Sequence, residues 1–167
     1  PTITSEADFV SMDSDGFTFN ITTSNATARR LYYLALGGTD LSSTVGSFNS
    51  ITSTGTQAVT GVGFQPALVI VKREDATAYG IWRPSSVSGD LGLAWDVASA
   101  ADTIQALEAD GLQVGTHAIV NANLGTYNWI AFNDDGNTDF TVGTYTGNAT
   151  DNRSITGIGF QPDFVFI

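Results

Sequence analysis

The heptapeptide TGVGFQP at Thr60–Pro66 returns as TGIGFQP at Thr156–Pro162. The match is wider than the heptapeptide. VTGVGFQPALVIV (Val59–Val71) aligns with ITGIGFQPDFVFI (Ile155–Ile167), TVGSF (Thr44–Phe48) with TVGTY (Thr141–Tyr145), and LYYLAL (Leu31–Leu36) with YNWIAF (Tyr127–Phe132). FVSMDSDGFTF (Phe9–Phe19) aligns with IQALEADGLQV (Ile104–Val114). The four offsets are 96, 97, 96 and 95 residues, and the slips fall in loop-like stretches. Four ordered matches at nearly constant spacing indicate an internal duplication, which constrains the fold more than any single motif.

Each matched block reads as β-structure. DSDGF and EADGL are Asp-Gly turns between alternating residues, a strong hairpin signal. Phe9 and Met12 are three apart, which predicts a bulge or a short irregular piece in the first hairpin. LYYLAL and YNWIAF are aromatic-rich runs of strand length, ALVIVKR reads as a central core strand, and YGIWR and LGLAWD as two further strands. The only competing helix is Asp96–Asp110. Its counterpart in the first copy is far less helical, so a strand near Ile104–Glu108 is predicted, preceded by one helical turn. With 42% apolar and 11% aromatic residues, the chain can bury a core.

The repeated heptapeptide has a mechanical reading. Gly61 and Gly63 permit positive φ, Phe64 anchors the turn, and Pro66 fixes φ and extends Gln65. Gly157, Gly159, Phe160 and Pro162 are the second corner. The competing reading makes Gln65 and Gln161 ligand-binding amides; a corner needed in both copies favours architecture.

The sequence predicts an all-β protein of two related β-sandwich, jelly-roll-like modules. Residues 1–58 form a partial repeat, 59–154 a complete one, and 155–167 the start of another or a donor-like strand. A second copy of Lys72–Asp96 is missing, so this is a window of a longer array or its end pieces complete one another, within the chain or in a neighbour. An uncovered FVFI strand would be an aggregation hazard.

The chemistry is sparse. Six Lys and Arg and a net charge of −11 argue against nucleic acid as the main partner. No apolar run approaches the ~20 residues of a membrane helix, so no membrane insertion is expected. With no cysteine, thiolate chemistry and disulfides are excluded. The lone His117 has no histidine counterpart in the first copy and reads as a solvated or hydrogen-bonded loop residue. No nucleophile elbow or dinucleotide loop is present. Glu74, Asp75, Asp90, Asp96, Glu108 and Asp110 supply carboxylates, but nothing in their spacing marks a catalytic pair; no catalytic residue and no enzyme activity are expected.

Two ligand readings stand beside structural ones. Asp135, Asn137 and Asp139 have the alternate spacing of a Ca²⁺ loop, without its glycine at position six or its glutamate at twelve. A plain polar loop is the default, so no cofactor is expected unless it is Ca²⁺. Tyr79, Trp82 and Trp129 would stack on sugar rings if exposed; the alternative is packing within strands.

The residues IQALEADGLQVGTHAIVNANLGTYNWIAF, TVGTYTGNATDNRSITGIGFQPDFVFI and VKREDATAYGIWRPSSVSGD resemble repeat modules of tailed phages, prophages and environmental bacteria. In those modules, GFQPDLVWIK is followed by DSDGF and VNANG-type motifs about every hundred residues. The resemblance covers nearly the whole chain, the second half better than the first. It implies a structural virion protein on the particle or cell surface: a tail fibre, a tail-associated or a capsid-decorating protein, bound to itself, other virion proteins or a host-surface glycan. The alternatives are an extracellular filament or surface-layer subunit assembled by strand exchange, and a carbohydrate-binding module.

Overall fold

The computed structural model describes residues 5–24, 34–36, 41–51, 55–95, 97–136 and 139–167. Leu31–Tyr33, Asp96 and Asn137, singled out in the sequence, lie outside the described residues. The chain divides into two compact units, Pro1–Ala35 and Leu36–Ile167.

Within the first unit, residues 5–24 form a hairpin. β1 (Ser5–Asp13) and β2 (Gly16–Ser24) pair antiparallel around the Asp-Gly turn. The apolar residues Phe9, Met12, Phe17 and Phe19 are all exposed. Phe17 and Phe19 stack, with ring centroids 6.0 Å apart.

The second unit is an all-β sandwich of two antiparallel sheets. The first sheet has the order β3-β10-β5-β6-β7: β3 (Ser43–Asn49), β10 (Thr126–Phe132), β5 (Leu68–Arg73), β6 (Ile81–Pro84) and β7 (Leu93–Ala94). The second sheet is β4 (Gln57–Thr60), β9 (Gly111–Val114) and β8 (Ile104–Glu108), with β9 central. The only described helix is one turn, α1 (Ala118–Asn121). It follows β9, whereas the sequence placed a helical turn before β8; residues 101–103 there are bends.

Strand alternation explains the core. Val69 and Val71 of β5 point inward with Tyr127, Trp129 and Ala131 of β10. Opposite them lie Val59 of β4, Leu112 and Val114 of β9 and Ile104 of β8, with Ile119 and Val120 of α1 in the same cluster. Tyr127 is fully buried yet satisfied: its hydroxyl donates to Ala118 O (3.1 Å) and accepts from Ala122 N (2.7 Å). Buried Asn121 donates from Nδ2 to Gly115 O (2.8 Å) and Gly55 O (3.1 Å), joining two loops. The VNAN stretch thus has a structural use.

The described residues complete one sandwich. It draws β3 and the start of β4 (Gln57 and Ala58) from the residues before 59 and the rest of its strands from those after. The sequence counterparts of its hairpin and corner are the β1–β2 hairpin of the first unit and residues 155–167. The β1–β2 hairpin has the register of β8–β9: Phe9↔Phe19, Ser11↔Thr18 and Met12↔Phe17 in one, Ile104↔Val114, Ala106↔Gln113 and Leu107↔Leu112 in the other. The register shift falls at the equivalent place, between Phe9 and Ser11 and between Ile104 and Ala106. It lies where the three-residue spacing predicted an irregularity. Residues 155–167, matching β4–β5 in sequence, form no strand.

Candidate functional site

The repeated corner sits on the repeated hairpin. Gly61 and Gly63 have φ of 91° and 88°, a region glycine enters without a Cβ penalty. That conformation turns both amides toward the β8–β9 turn. Gly61 N–H donates to Asp110 Oδ2 (3.2 Å) and Gly63 N–H to Oδ1 (2.6 Å). Gln65 Nε2 then donates to Leu107 O across the same hairpin (2.9 Å). Phe64 packs against the core and Pro66 is buried. One carboxylate and one amide therefore fasten GVGFQP to EADG, and β4 runs on beside β9.

The second corner keeps the same backbone. Gly157 and Gly159 have φ of 91° and 94°. Phe160 and Pro162 are half-buried, and the residues after them are exposed.

A second feature is the outer face of the five-stranded sheet. Val45, Ile130, Ile70, Trp82 and Leu93 are successive register partners across β3, β10, β5, β6 and β7. They form an apolar row on the face away from the core. Over its β3 end lies a shallow groove of about 480 Å³ lined by Val45, Ser47, Ile70, Lys72, Asn128 and Ile130. At its other end Trp82 stacks on Trp95 (6.4 Å, 16°), and Phe166 meets both rings edge-on at 5.6 and 5.7 Å. Phe140 similarly stacks on Phe132 (5.3 Å).

The aromatic residues singled out in the sequence separate. Trp129 is only 7% exposed, and its ring lies across Gly46, where a Cβ would collide with it. It is core packing. Tyr79 is exposed and Trp82 half-buried, and Trp95 is 52% exposed. Trp82 Nε1 is buried without a hydrogen-bond partner.

Asp134 accepts from Gly136 N (3.3 Å), an ordinary side-chain-to-backbone turn, and from the Thr141 side chain at Oγ1 (3.0 Å). Asp135 and Asp139 are exposed. Among the described residues, no three His, Asp or Glu side chains cluster as metal ligands. His117 caps α1, its Nδ1 accepting from Ile119 N (3.2 Å).

An open groove of about 560 Å³ runs past Gln65, Arg83, Gln105, Leu107 and Asp134. Arg83 is its one cation among the described residues, and its guanidinium serves the neighbouring loop. It donates to Leu91 O (2.6 Å), Gly89 O (2.7 Å) and Val87 O (3.0 Å). Burial pulls Arg83 below the usual arginine value, while the charge of Asp90 acts the other way. Asp102 is held below the usual carboxylate range, chiefly by the Thr116 hydroxyl and also by Gln105 Nε2 (2.7 Å). Asp13 is lowered likewise by Thr18 (2.7 Å) and Ser11 (2.8 Å). Each of these groups holds a turn or loop in place.

The role of Asp110 was not read from the sequence, where turn propensity already accounted for it. Its recurrence as Asp15, at the same place before the glycine, was the available signal. Phe166 and Arg83 carried none. Comparison with family models, with curated proteins and with solved structures finds no match to this chain.

Proposed function

We propose that this chain is a structural assembly module of a virion surface, in the manner of a tail fibre, tail-associated or capsid-decorating protein. The observation that carries the reading is the exposure of the repeat's apolar positions outside the sandwich. Residues whose counterparts form the core are exposed in the β1–β2 hairpin and at Val165 and Ile167. Exposed apolar strands of this kind gain by being covered, and in assembling proteins a neighbour covers them. The resemblance to phage-type GFQP modules supplies the setting. The charge of −11 keeps free subunits apart and disfavours nucleic acid as partner.

The test is imaging. Immunogold labelling of particles from a producing culture should decorate the virion. Labelling confined to cell-borne fibres would replace the virion reading with the filament reading, and a strictly monomeric protein absent from both would sink both.

The Trp82–Trp95 pair favours a second reading, contact with a glycan. Trp95 offers an exposed indole held in place by Trp82 and Phe166. Saturable binding on a glycan array, lost in Trp95→Ala and kept in Trp129→Phe, is the expected result for that reading.

A further inference from the structure

The assembly reading leaves open which surfaces meet, and the corner–hairpin contact inside the sandwich supplies a template. There, β4 lies beside β9 in the register Ala58↔Gln113, Val59↔Leu112 and Thr60↔Gly111. Asp110 takes the amides of Gly61 and Gly63, and Gln65 reaches the Leu107 carbonyl. The β1–β2 hairpin carries the same parts: Asp15 for Asp110, Gly16 for Gly111, Phe17 for Leu112 and Met12 for Leu107. Residues 154–162 carry the other side: Ile155 for Val59, Gly157 and Gly159 for the two glycines, Gln161 for Gln65.

The glycines of both halves already have the φ angles of the template. The corner glycines agree within a few degrees, and Gly16 (φ 153°) matches Gly111 (φ 148°). What differs is the space beside them. A Cβ at Gly111 would collide with the Val59 carbonyl of β4, whereas at Gly16 nothing lies within 4 Å. Among the described residues β2 pairs with β1 alone, while β9 lies between β8 and β4.

We propose that residues 154–162 of one copy dock on the β1–β2 hairpin of a second copy, lying beside β2 as β4 lies beside β9. Asp15 accepts from the Gly157 and Gly159 amides, Gln161 donates to the Met12 carbonyl, and Ile155 faces Phe17. The inference rests on the assembly reading and names its interface. A second copy is the occupant because every copy carries both parts, so each corner meets a matching hairpin on its neighbour; docking within one copy is an outcome of the test. The contact is heterologous, so it builds a closed ring or an open filament, as its rotation dictates.

The template places Ser154 opposite Thr18, as Ala58 is opposite Gln113. Directly opposed strand residues are close enough for a disulfide, and the parent chain has no cysteine to interfere. Two full-length variants, Thr18→Cys and Ser154→Cys, are mixed in equal amounts and oxidised. The expected product is a disulfide heterodimer in clear excess over either homodimer. Adding Asp15→Ala to the first variant should slow its formation by about tenfold, from the loss of a charge-assisted pair of hydrogen bonds. Unchanged tryptophan fluorescence shows that the sandwich is intact. Heterodimer at or below the random proportion overturns the proposal. So does a double variant that oxidises only to a cross-linked monomer, because the segments would then meet within one copy. If the heterodimer fails to exceed the random proportion while the parent chain still forms ordered multimers, assembly stands and this interface falls.

Discussion

Val69 and Val71 of β5 are 0% and 1% exposed; Val165 and Ile167, their counterparts 96 positions on, are 57% and 84% exposed. The hairpins differ in the same way. Leu112 and Val114 are 1% and 0% exposed, Phe17 and Phe19 38% and 40%. Yet the local backbone is shared: the corner angles agree, and over the matched stretch the hairpins have the same register and the same irregularity, β1–β2 having a further shift at Glu6/Ala7. Turns are set by nearby residues, through the Asp-Gly turn and the positive-φ glycines, so they form in either setting. Burial depends on whether β10 and the opposite sheet are there to receive the strand. The corner is a local property and the strand beyond it is not.

The comparison can be broken most sharply at the two hairpin glycines. Gly111→Ala drives a methyl group into the Val59 carbonyl and should cost about 3 kcal/mol or more, since a backbone contact cannot yield cheaply. Gly16→Ala meets nothing within 4 Å and should cost about 1 kcal/mol, all of it local. Urea unfolding followed by tryptophan fluorescence separates them; equal losses would mean that the hairpins occupy equivalent surroundings after all.

Truncating apolar side chains sharpens the contrast. Leu112→Ala removes a fully buried side chain and is expected to cost about 3 kcal/mol. Phe17→Ala and Val165→Ala, at exposed sites, should each change the stability of dilute protein by less than about 0.5 kcal/mol.

A smaller effect is expected at the corner. Asp110→Ala frees the Gly61 and Gly63 amides at an exposed site and should cost about 1 kcal/mol. Asp15→Ala should leave dilute-protein stability unchanged and act only on association. A loss at Asp15 as large as at Asp110 would show that its carboxylate is already engaged in the single copy.

The smallest expected effect is on pH dependence. Asp102 and Asp13 both have folded-state values depressed by hydroxyl donors, Thr116 for Asp102 and Thr18 for Asp13. Their contribution is present above the ordinary aspartate value near 4 and lost as pH falls through the depressed one. Melting temperature should therefore be steady from pH 7 to about 5 and decline below about 4. Asp102→Asn should lower it at pH 6 and converge with the parent in acid; a constant difference down to acid pH would show that the carboxylate charge is not what matters.

Much of the fold was legible. The Asp-Gly hairpins, the ALVIV core strand and the irregularity after Phe9 followed from alternation and turn chemistry, and the strand at Ile104–Glu108 from comparison with the less helical first copy. The apolar row across the outer sheet face was not. Val45, Ile130, Ile70, Trp82 and Leu93 come from five separated strands, and only the register makes them neighbours. Trp129 failed as an exposed ring for a similar reason: its strand shows which residues share a face, but not which face meets the second sheet. The pairing of Asp110 with the corner was half visible. The sequence repeated both motifs together without showing that they touch.

By itself, then, the sequence determined the all-β class, the turns and the corner conformation, because these depend on residues within a few positions of one another. Tertiary structure alone decided which copies of the repeated strands are buried. Burial is a property of pairs of surfaces, and two stretches with the same alternation of apolar residues differ only in what is brought against them.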